Sequence, residues 1–241
     1  GYMRIAIDTH THTLVSGHAY NTMKEMVKTA ADKGLDGLAI TEHAPMMPGT
    51  CHEYYFSNLK VVPRTMCGID LLLGVELNVL DERGTVDLQE RLIGEMDLVI
   101  ASLHIPCYNG EKTKERITNA YINVMERGDV DIIGHPDDSR FPIDYERMVK
   151  AAARTNTILE VNHTSLRPDA YRVNARENYH QMLTFCKEYG VMVAMGTDAH
   201  VDALIGEYPY AYQLLEEEKF PEELVVNTSV EKLRSLLQQK H

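Results

Sequence analysis

What most constrains this chain is a rhythm. Seven short apolar runs, at 4–7, 37–40, 71–75, 98–101, 130–133, 157–161 and 191–195, recur at intervals of roughly 25 to 40 residues. Runs this short and this apolar suit strands buried on both faces. Between most of them lie amphipathic stretches with helix punctuation. Thr22 and Glu25 form a capping box and Gly34 closes that segment; Asn174 with Glu177 and Gly190 frame another; Ser229 opens a last one. Strands and helices alternating in this way predict an α/β fold with a parallel sheet. The 241 residues suit one domain over 1–241, because single α/β barrels commonly reach this length and no Gly/Pro/Ser-rich linker divides the chain.

The residues that follow the strands carry the chemistry. The first run leads into Asp8-Thr9-His10-Thr11-His12, the second into Glu42-His43, and the third contains Glu76. The fourth leads to His104, the fifth to His135, the sixth to Asn162-His163, and the seventh to Asp198-Ala199-His200. Each run thus delivers a metal-ligating side chain at its carboxyl end, where α/β barrels and open α/β sheets place their sites. In extended backbone alternate side chains share a face, so His10 and His12, about 6.6 Å apart at Cα, can reach one ion, as can Asp198 and His200. Imidazole and carboxylate suit zinc, and with fewer constraints manganese or iron. A lone histidine after a strand is more often a core or capping residue; a whole set at one end of successive strands points to a metal site.

Composition excludes several other classes. Charged residues at 25% and apolar ones at 44% describe a globular chain with a sizeable core. No apolar stretch approaches the 18 or so residues needed to cross a bilayer, and the N-terminus turns polar too soon for a secretory signal, so a cytoplasmic protein with no membrane partner is expected. Cys51, Cys67, Cys107 and Cys186 include no C-x-x-C pair, which argues against a disulfide framework or a thiolate zinc site. Net charge is -12 with no basic run, so duplex nucleic acid is not an expected partner.

The motifs D-x-H-x-H at 8–12, the further His18, T-E-H at 41–43, Glu76 in G-V-E, S-L-H at 102–104, G-H-P at 134–136 and T-D-A-H at 197–200 together resemble the PHP (polymerase and histidinol phosphatase) superfamily. The likeness spans essentially the whole chain and is closest to the compact YcdX-like phosphatase branch, through S-G-H-A-Y-N-T at 16–22 and V-V-P-R at 61–64. It implies a distorted (βα)7 TIM-like barrel with a trinuclear metal site at the carboxyl ends of the strands. All nine ligand positions of the branch are filled. His10, His12, Glu76 and Asp198 would hold the first ion; Glu76 would bridge to a second held by His104 and His135; His18, His43 and His200 would hold the third. Three divalent ions, zinc above all with manganese or iron as alternatives, outweigh two carboxylates and make the mouth an anion trap in an acidic protein.

A phosphate ester is the natural occupant, since its transferring group spreads negative charge over oxygens that several cations can hold. Metal coordination lowers a water's pKa from 15.7 to about 7, so a bridging hydroxide could attack phosphorus without a protein nucleophile. The expected activity is phosphomonoester hydrolysis of a small phosphorylated metabolite, with Glu76, Asp198 and His200 at the reacting centre. An amidohydrolase and a phosphodiesterase or exonuclease of the PHP type are the alternatives; the motifs choose neither a metabolite nor an oligomeric state. Arg64, matching a recurrent arginine of the branch, is the candidate phosphate clamp, with Arg140 and Arg167 weaker ones. His163 is a candidate substrate contact and Asp8 a candidate for orienting a ligand imidazole. His180 and His241 receive no role.

Overall fold

The computed structural model describes residues 3–237, so His241 lies outside it. Within that range one sheet contains β1 (Ile7–Asp8), β2 (Gly37–His43), β3 (Thr65–Met66), β4 (Ile69–Asn78), β5 (Val99–Ser102), β6 (Ile132–Ile133), β7 (Ile158–Asn162) and β8 (Val193–Gly196). The order is β1-β2-β4-β5-β6-β7-β8, every neighbouring pair parallel, with β3 an antiparallel flap on the start of β4. The seven parallel strands match the seven apolar runs; β3 is additional. Helices α1 (Met23–Asp32), α2 (Tyr54–Ser57), α3 (Glu90–Glu95), α4 (Lys114–Glu126), α5 (Tyr145–Thr155), α6 (His163–Leu166), α7 (Ala175–Tyr189), α8 (Pro209–Glu217) and α9 (Val230–Leu237) fill the connections. The sheet curls into a nearly closed, distorted TIM-like barrel.

Closure between β1 and β8 is irregular. Beyond the strand ends, Thr11 and Ala199 form a parallel bridge, Asp198 N–H donates to His10 C=O (2.8 Å) and His12 N–H to Ala199 C=O (2.9 Å). Lower down, the side chain of Asn227 replaces the missing ladder. Its Nδ2 donates to Ile7 C=O (2.8 Å) and Met195 C=O (2.9 Å), and its Oδ1 accepts from Met195 N–H (2.7 Å).

Punctuation holds where it was expected, with one exception. The Thr22/Glu25 capping box is formed, Gly190 ends α7 in the left-handed conformation, and Ser229 Oγ accepts from Lys232 N–H at the start of α9. Asn174 sits at the head of α7 but caps nothing with its side chain, because its own backbone is left-handed (φ 58°).

Two apolar clusters flank the strands. The larger lies between sheet and helices; the smaller gathers Ile7, Ala39, Leu72, Ile100, Ile132, Ile158 and Ala194 inside the barrel, where Val230, Leu233 and Leu237 of α9 stop its amino end. Because side chains alternate along a strand, that inner face continues two and four residues on. Ala39 is followed by Thr41 and His43, Leu72 by Gly74 and Glu76, Ile158 by Glu160 and Asn162, Ala194 by Gly196 and Asp198. One face of the sheet is therefore apolar at one end and ligand-bearing at the other.

Candidate metal centre

Strand register and alternation bring the candidate ligand side chains to the carboxyl mouth. β2 and β4 pair with His43 beside Glu76. Glu76 is completely buried and stands at the centre: its Oε1 lies 3.1 Å from His10 Nε2, 3.2 Å from His12 Nε2 and 3.2 Å from His43 Nδ1, while its Oε2 lies 3.1 Å from His135 Nε2 and 3.4 Å from His104 Nε2. Asp198 Oδ1 is 3.1 Å from His12 Nε2 and 3.3 Å from His10 Nε2. Ligand atoms about 2.0–2.2 Å from a tetrahedral zinc lie about 3.3 Å from one another, so these spacings leave room for an ion between them. Among the described residues three sets converge this closely: His10, His12, Glu76 and Asp198; His43, Glu76 and His104; and His12, His43 and His200. His18 stands at the rim, its ring centroid 5.0 Å from those of His43 and His200.

Hydrogen bonding says the same. Both ring nitrogens of His43, Glu76 Oε1 and Asp198 Oδ1 are buried without a hydrogen-bond partner. Stranding such groups is costly, and carboxylate oxygens and imidazole nitrogens aimed at one point are what a cation satisfies.

Four imidazoles share one arrangement, with Nδ1 bonded to protein and Nε2 toward the cluster. His10 Nδ1 meets Glu160 Oε2 at 2.6 Å, His104 Nδ1 meets Asn78 Oδ1 at 2.7 Å, and His200 Nδ1 meets its own turn's Asp198 C=O at 2.7 Å. His12 Nδ1 faces Ser16 Oγ at 3.1 Å, and that hydroxyl gives its proton to Glu42 Oε1 (2.8 Å), leaving a lone pair for the ring. An acceptor beyond Nδ1 holds the proton there and turns the Nε2 lone pair inward.

Ionisation follows from the crowding. Burial opposes ionisation of Glu76 and Asp198, yet His10 and the other rings hold both carboxyls well below their usual range. Burial likewise works against a charged His12, but Asp198 and Glu76 outweigh it and raise the ring to about 9; His10 rises well above its ordinary value beside Glu160, Asp198 and Glu76. His135, buried and near Arg172, and His200, buried and near His12, both fall to about 4. The carboxylates thus favour positive charge at His10 and His12, next to His135 and His200, where burial favours the neutral ring.

Two positions of the cluster carry strained backbone. His135 (φ 28°) and Asp198 (φ 59°) occupy the left-handed region without being glycine. That conformation is disfavoured for a branched-off Cβ and clusters at functional sites.

The PHP domain family matches residues 8–166, two thirds of the chain. The chain belongs to the PHP family. A probable phosphatase of Caldanaerobacter subterraneus subsp. tengcongensis is 44% identical over 99% of this chain and 93% of its own length. Another, from Caldicellulosiruptor saccharolyticus, is 43% identical over 98% of this chain and 97% of its own. In fold the chain resembles histidinol phosphate phosphatase of Lactococcus lactis, solved with zinc, L-histidinol and phosphate (TM-score 0.57, 19% identity, 98% and 93% of the two chains). A putative histidinol phosphatase of Listeria monocytogenes is similar too (TM-score 0.61, 18% identity, 85% and 98%).

Several residues outside the PHP ligand motifs sit differently from expectation. Arg64 immediately precedes β3 at the amino end of β4, and its guanidinium bonds Asp97 Oδ2 (2.7 Å) and the carbonyls of Leu59 and Val62 (2.7 Å each). Leu71 N–H donates to Arg64 C=O (2.9 Å), which sets Arg64 beside the first residues of β4, away from Glu76 and the mouth, where its side chain clasps this loop to Asp97. His163 leaves the end of β7 facing α8: it stacks on Tyr210 and its Nε2 accepts from Tyr210 N–H (3.2 Å). Asp8 touches no imidazole. Its carboxylate accepts from Thr197 Oγ1 (2.5 Å) and from the amides of Thr197, Gly206 and His10, tying the β1 and β8 ends together. Arg167 pairs with Asp169, and His180 with Glu217 and Glu218.

Glu160, Glu42 and Arg172 were missed. Glu160 holds His10, His135 N–H (2.8 Å) and Asn162 (3.0 Å), and the absence of a side chain at Gly196 makes room for it, since a Cβ there would lie 2.4 Å from Glu160 Oε2. A carboxylate in the middle of a buried apolar strand was its signal. Arg172, buried in the connection between α6 and α7, bonds Asp198 Oδ2 (3.3 Å), Ser165 Oγ (2.9 Å) and Tyr171 Oη (3.0 Å); nothing in the linear pattern marks it.

Proposed function

We propose that the protein is a metal-dependent phosphatase of small phosphomonoesters, probed best by the nine-residue cluster itself. The observation that carries this reading is the set of buried, unpartnered atoms of His43, Glu76 and Asp198, of which His43 and Asp198 also line a pocket of about 210 Å³ together with Arg140 and Arg172. Relatives named probable phosphatases across nearly the full chain support it, as does a PHP neighbour solved with zinc and phosphate.

In this reading His10, His12, Glu76 and Asp198 hold one divalent ion, Glu76 with His104 and His135 a second, and His18, His43 and His200 a third. Zinc suits this donor set best, with manganese or iron as alternatives. Bound ions would supply a water of lowered pKa as nucleophile and positive charge against the phosphate oxygens. The chain's own work is positioning. Glu76 presents both oxygens to facing imidazoles, so removing it uncouples the two halves of the cluster. Asp198 keeps Oδ1 inward because Arg172 and Asn162 occupy Oδ2. Arg140 and Arg172 add cationic character where a phosphate would enter, and an acidic protein then needs no further basic surface to attract a small anion.

The test is turnover by protein of measured metal content. p-Nitrophenyl phosphate should be hydrolysed, with loss on chelation and recovery on adding zinc or manganese. Amide and lactone substrates and single-stranded DNA should not be; preference for any of these defeats the reading.

A further inference from the structure

Resting on the phosphatase reading, we infer that the alcohol released by this enzyme carries a flat ring and no positive charge, and that polyol and amino-alcohol phosphates are poor substrates. The pocket walls above the ligand floor are the basis. The connections after β2 and β5 contribute Met47, Leu103, Ile105 and Pro106; those after β6 and β7 contribute Phe141 and Tyr171. Aliphatic side chains from one pair of loops and aromatic ones from the other suit a planar apolar group, which aromatic faces favour by offset or edge contacts.

Outside the histidine–carboxylate cluster, the carboxylate and the phenol of the lining are already engaged. Asp138 Oδ1 accepts from Arg140 N–H (3.0 Å) and Val173 N–H (3.1 Å), and Oδ2 from Arg140 Nε (2.9 Å) and Nη2 (2.8 Å). Tyr171 Oη accepts from Arg172 Nη2. Apart from Asp198, whose inward oxygen belongs to the metal cluster, no lining carboxylate among the described residues is left to receive a sugar hydroxyl or an ammonium. The guanidiniums of Arg140 and Arg172, paired with Asp138 and Asp198, stack at 5.7 and 5.0 Å over the Tyr171 ring. With the lining carboxylates already paired, an ammonium would find no free counter-charge there, and each polyol hydroxyl would leave water without a partner, a discrimination of up to about 10²-fold per group. The volume of about 210 Å³ is small beside the roughly 300–1,000 Å³ of drug-sized sites, which suits a phosphoryl group and one ring.

The experiment compares three esters of primary alcohols, so that leaving-group basicity is similar: 2-phenylethyl phosphate, glycerol 3-phosphate and L-histidinol phosphate, with metal-loaded protein. The ring ester should exceed both others at least tenfold in kcat/KM. Calorimetry should show the same order in Kd, benzylphosphonate binding more tightly than 2-aminoethylphosphonate. Tyr171→Leu should shrink the ring preference to within about threefold. Ile105→Glu, at a position 41% exposed, should raise histidinol phosphate turnover relative to the ring ester by supplying the missing carboxylate. Equal or faster turnover of glycerol 3-phosphate or histidinol phosphate, or equal Kd values, overturns the inference and leaves the phosphatase reading standing. No turnover of any ester overturns that reading, and the inference with it.

Discussion

The two ends of this barrel are built from the same strands and obey opposite rules. At the amino end the inner face is Ile7, Ala39, Leu72, Ile100 and Ala194, stopped by Leu233 and Leu237 of α9. Two to four residues further along, the same face carries His43, Glu76, Asn162 and Asp198, with buried atoms lacking partners and left-handed backbone at His135 and Asp198. One end lowers its free energy by removing apolar surface from water; the other holds polar atoms in a geometry that the protein alone does not satisfy. Stability and chemistry are therefore separable along a single strand, and substitutions can show how cleanly.

Glu76→Ala should have the largest effect. Phosphatase activity is expected to fall to background and elemental analysis to find at least two ions lost, with the circular dichroism of a folded barrel retained; full metal content would contradict the central place given to this carboxylate. Next comes Glu160→Gln, which keeps the shape but weakens the acceptor on His10 Nδ1. Metal affinity or kcat/KM should drop about 10–100-fold, as for other groups that orient ligand imidazoles. At the opposite end, Leu233→Ala should cost about 2–5 kcal/mol in urea unfolding while metal stoichiometry stays unchanged. Coupled loss of metal would mean the two ends are not independent.

A smaller effect tests His163, a carboxyl-end residue outside the cluster. Burial, with Arg167 nearby, lowers this imidazole from 6.5 to about 4. The unfolded chain then takes up a proton before the folded one does, so its contribution is complete above about pH 7 and declines as pH falls from 6.5 toward 4. His163→Gln should accordingly flatten that part of the stability profile relative to the parent, both measured with chelator. An unchanged slope would show that the ring is protonated in the fold. Arg64→Ala should be the mildest, about 1–2 kcal/mol from its partly exposed bonds to Asp97 and two carbonyls, with KM for a phosphate ester unaltered. A raised KM would return Arg64 to the site.

Most of the clustered side chains were legible because they end or closely follow an apolar run, and parallel βα repetition sends every such position to one end; His18, 11 residues past the first run, was marked only by the family resemblance. Glu160 was obscured by lying within a run, where its charge is visible but its partner, His10, is 150 residues away. Arg64 misled because similarity of a short motif does not say which end of a barrel its loop reaches. His163 misled for a related reason: the sequence puts it at a strand end, but the backbone turns into α6 there and aims the ring at Tyr210.

Order along the chain thus determined the element types, their parallel arrangement and which residues gather at the mouth, since local periodicity and topology suffice for those. Only the folded chain decided which side chains face inward past the strand ends, where alternation stops. It also decided which carboxylates hold the imidazoles, and that Asn227 fills the seam between β1 and β8. Those outcomes depend on contacts between residues far apart in sequence, whose distances and hydrogen bonds exist only once the barrel has closed.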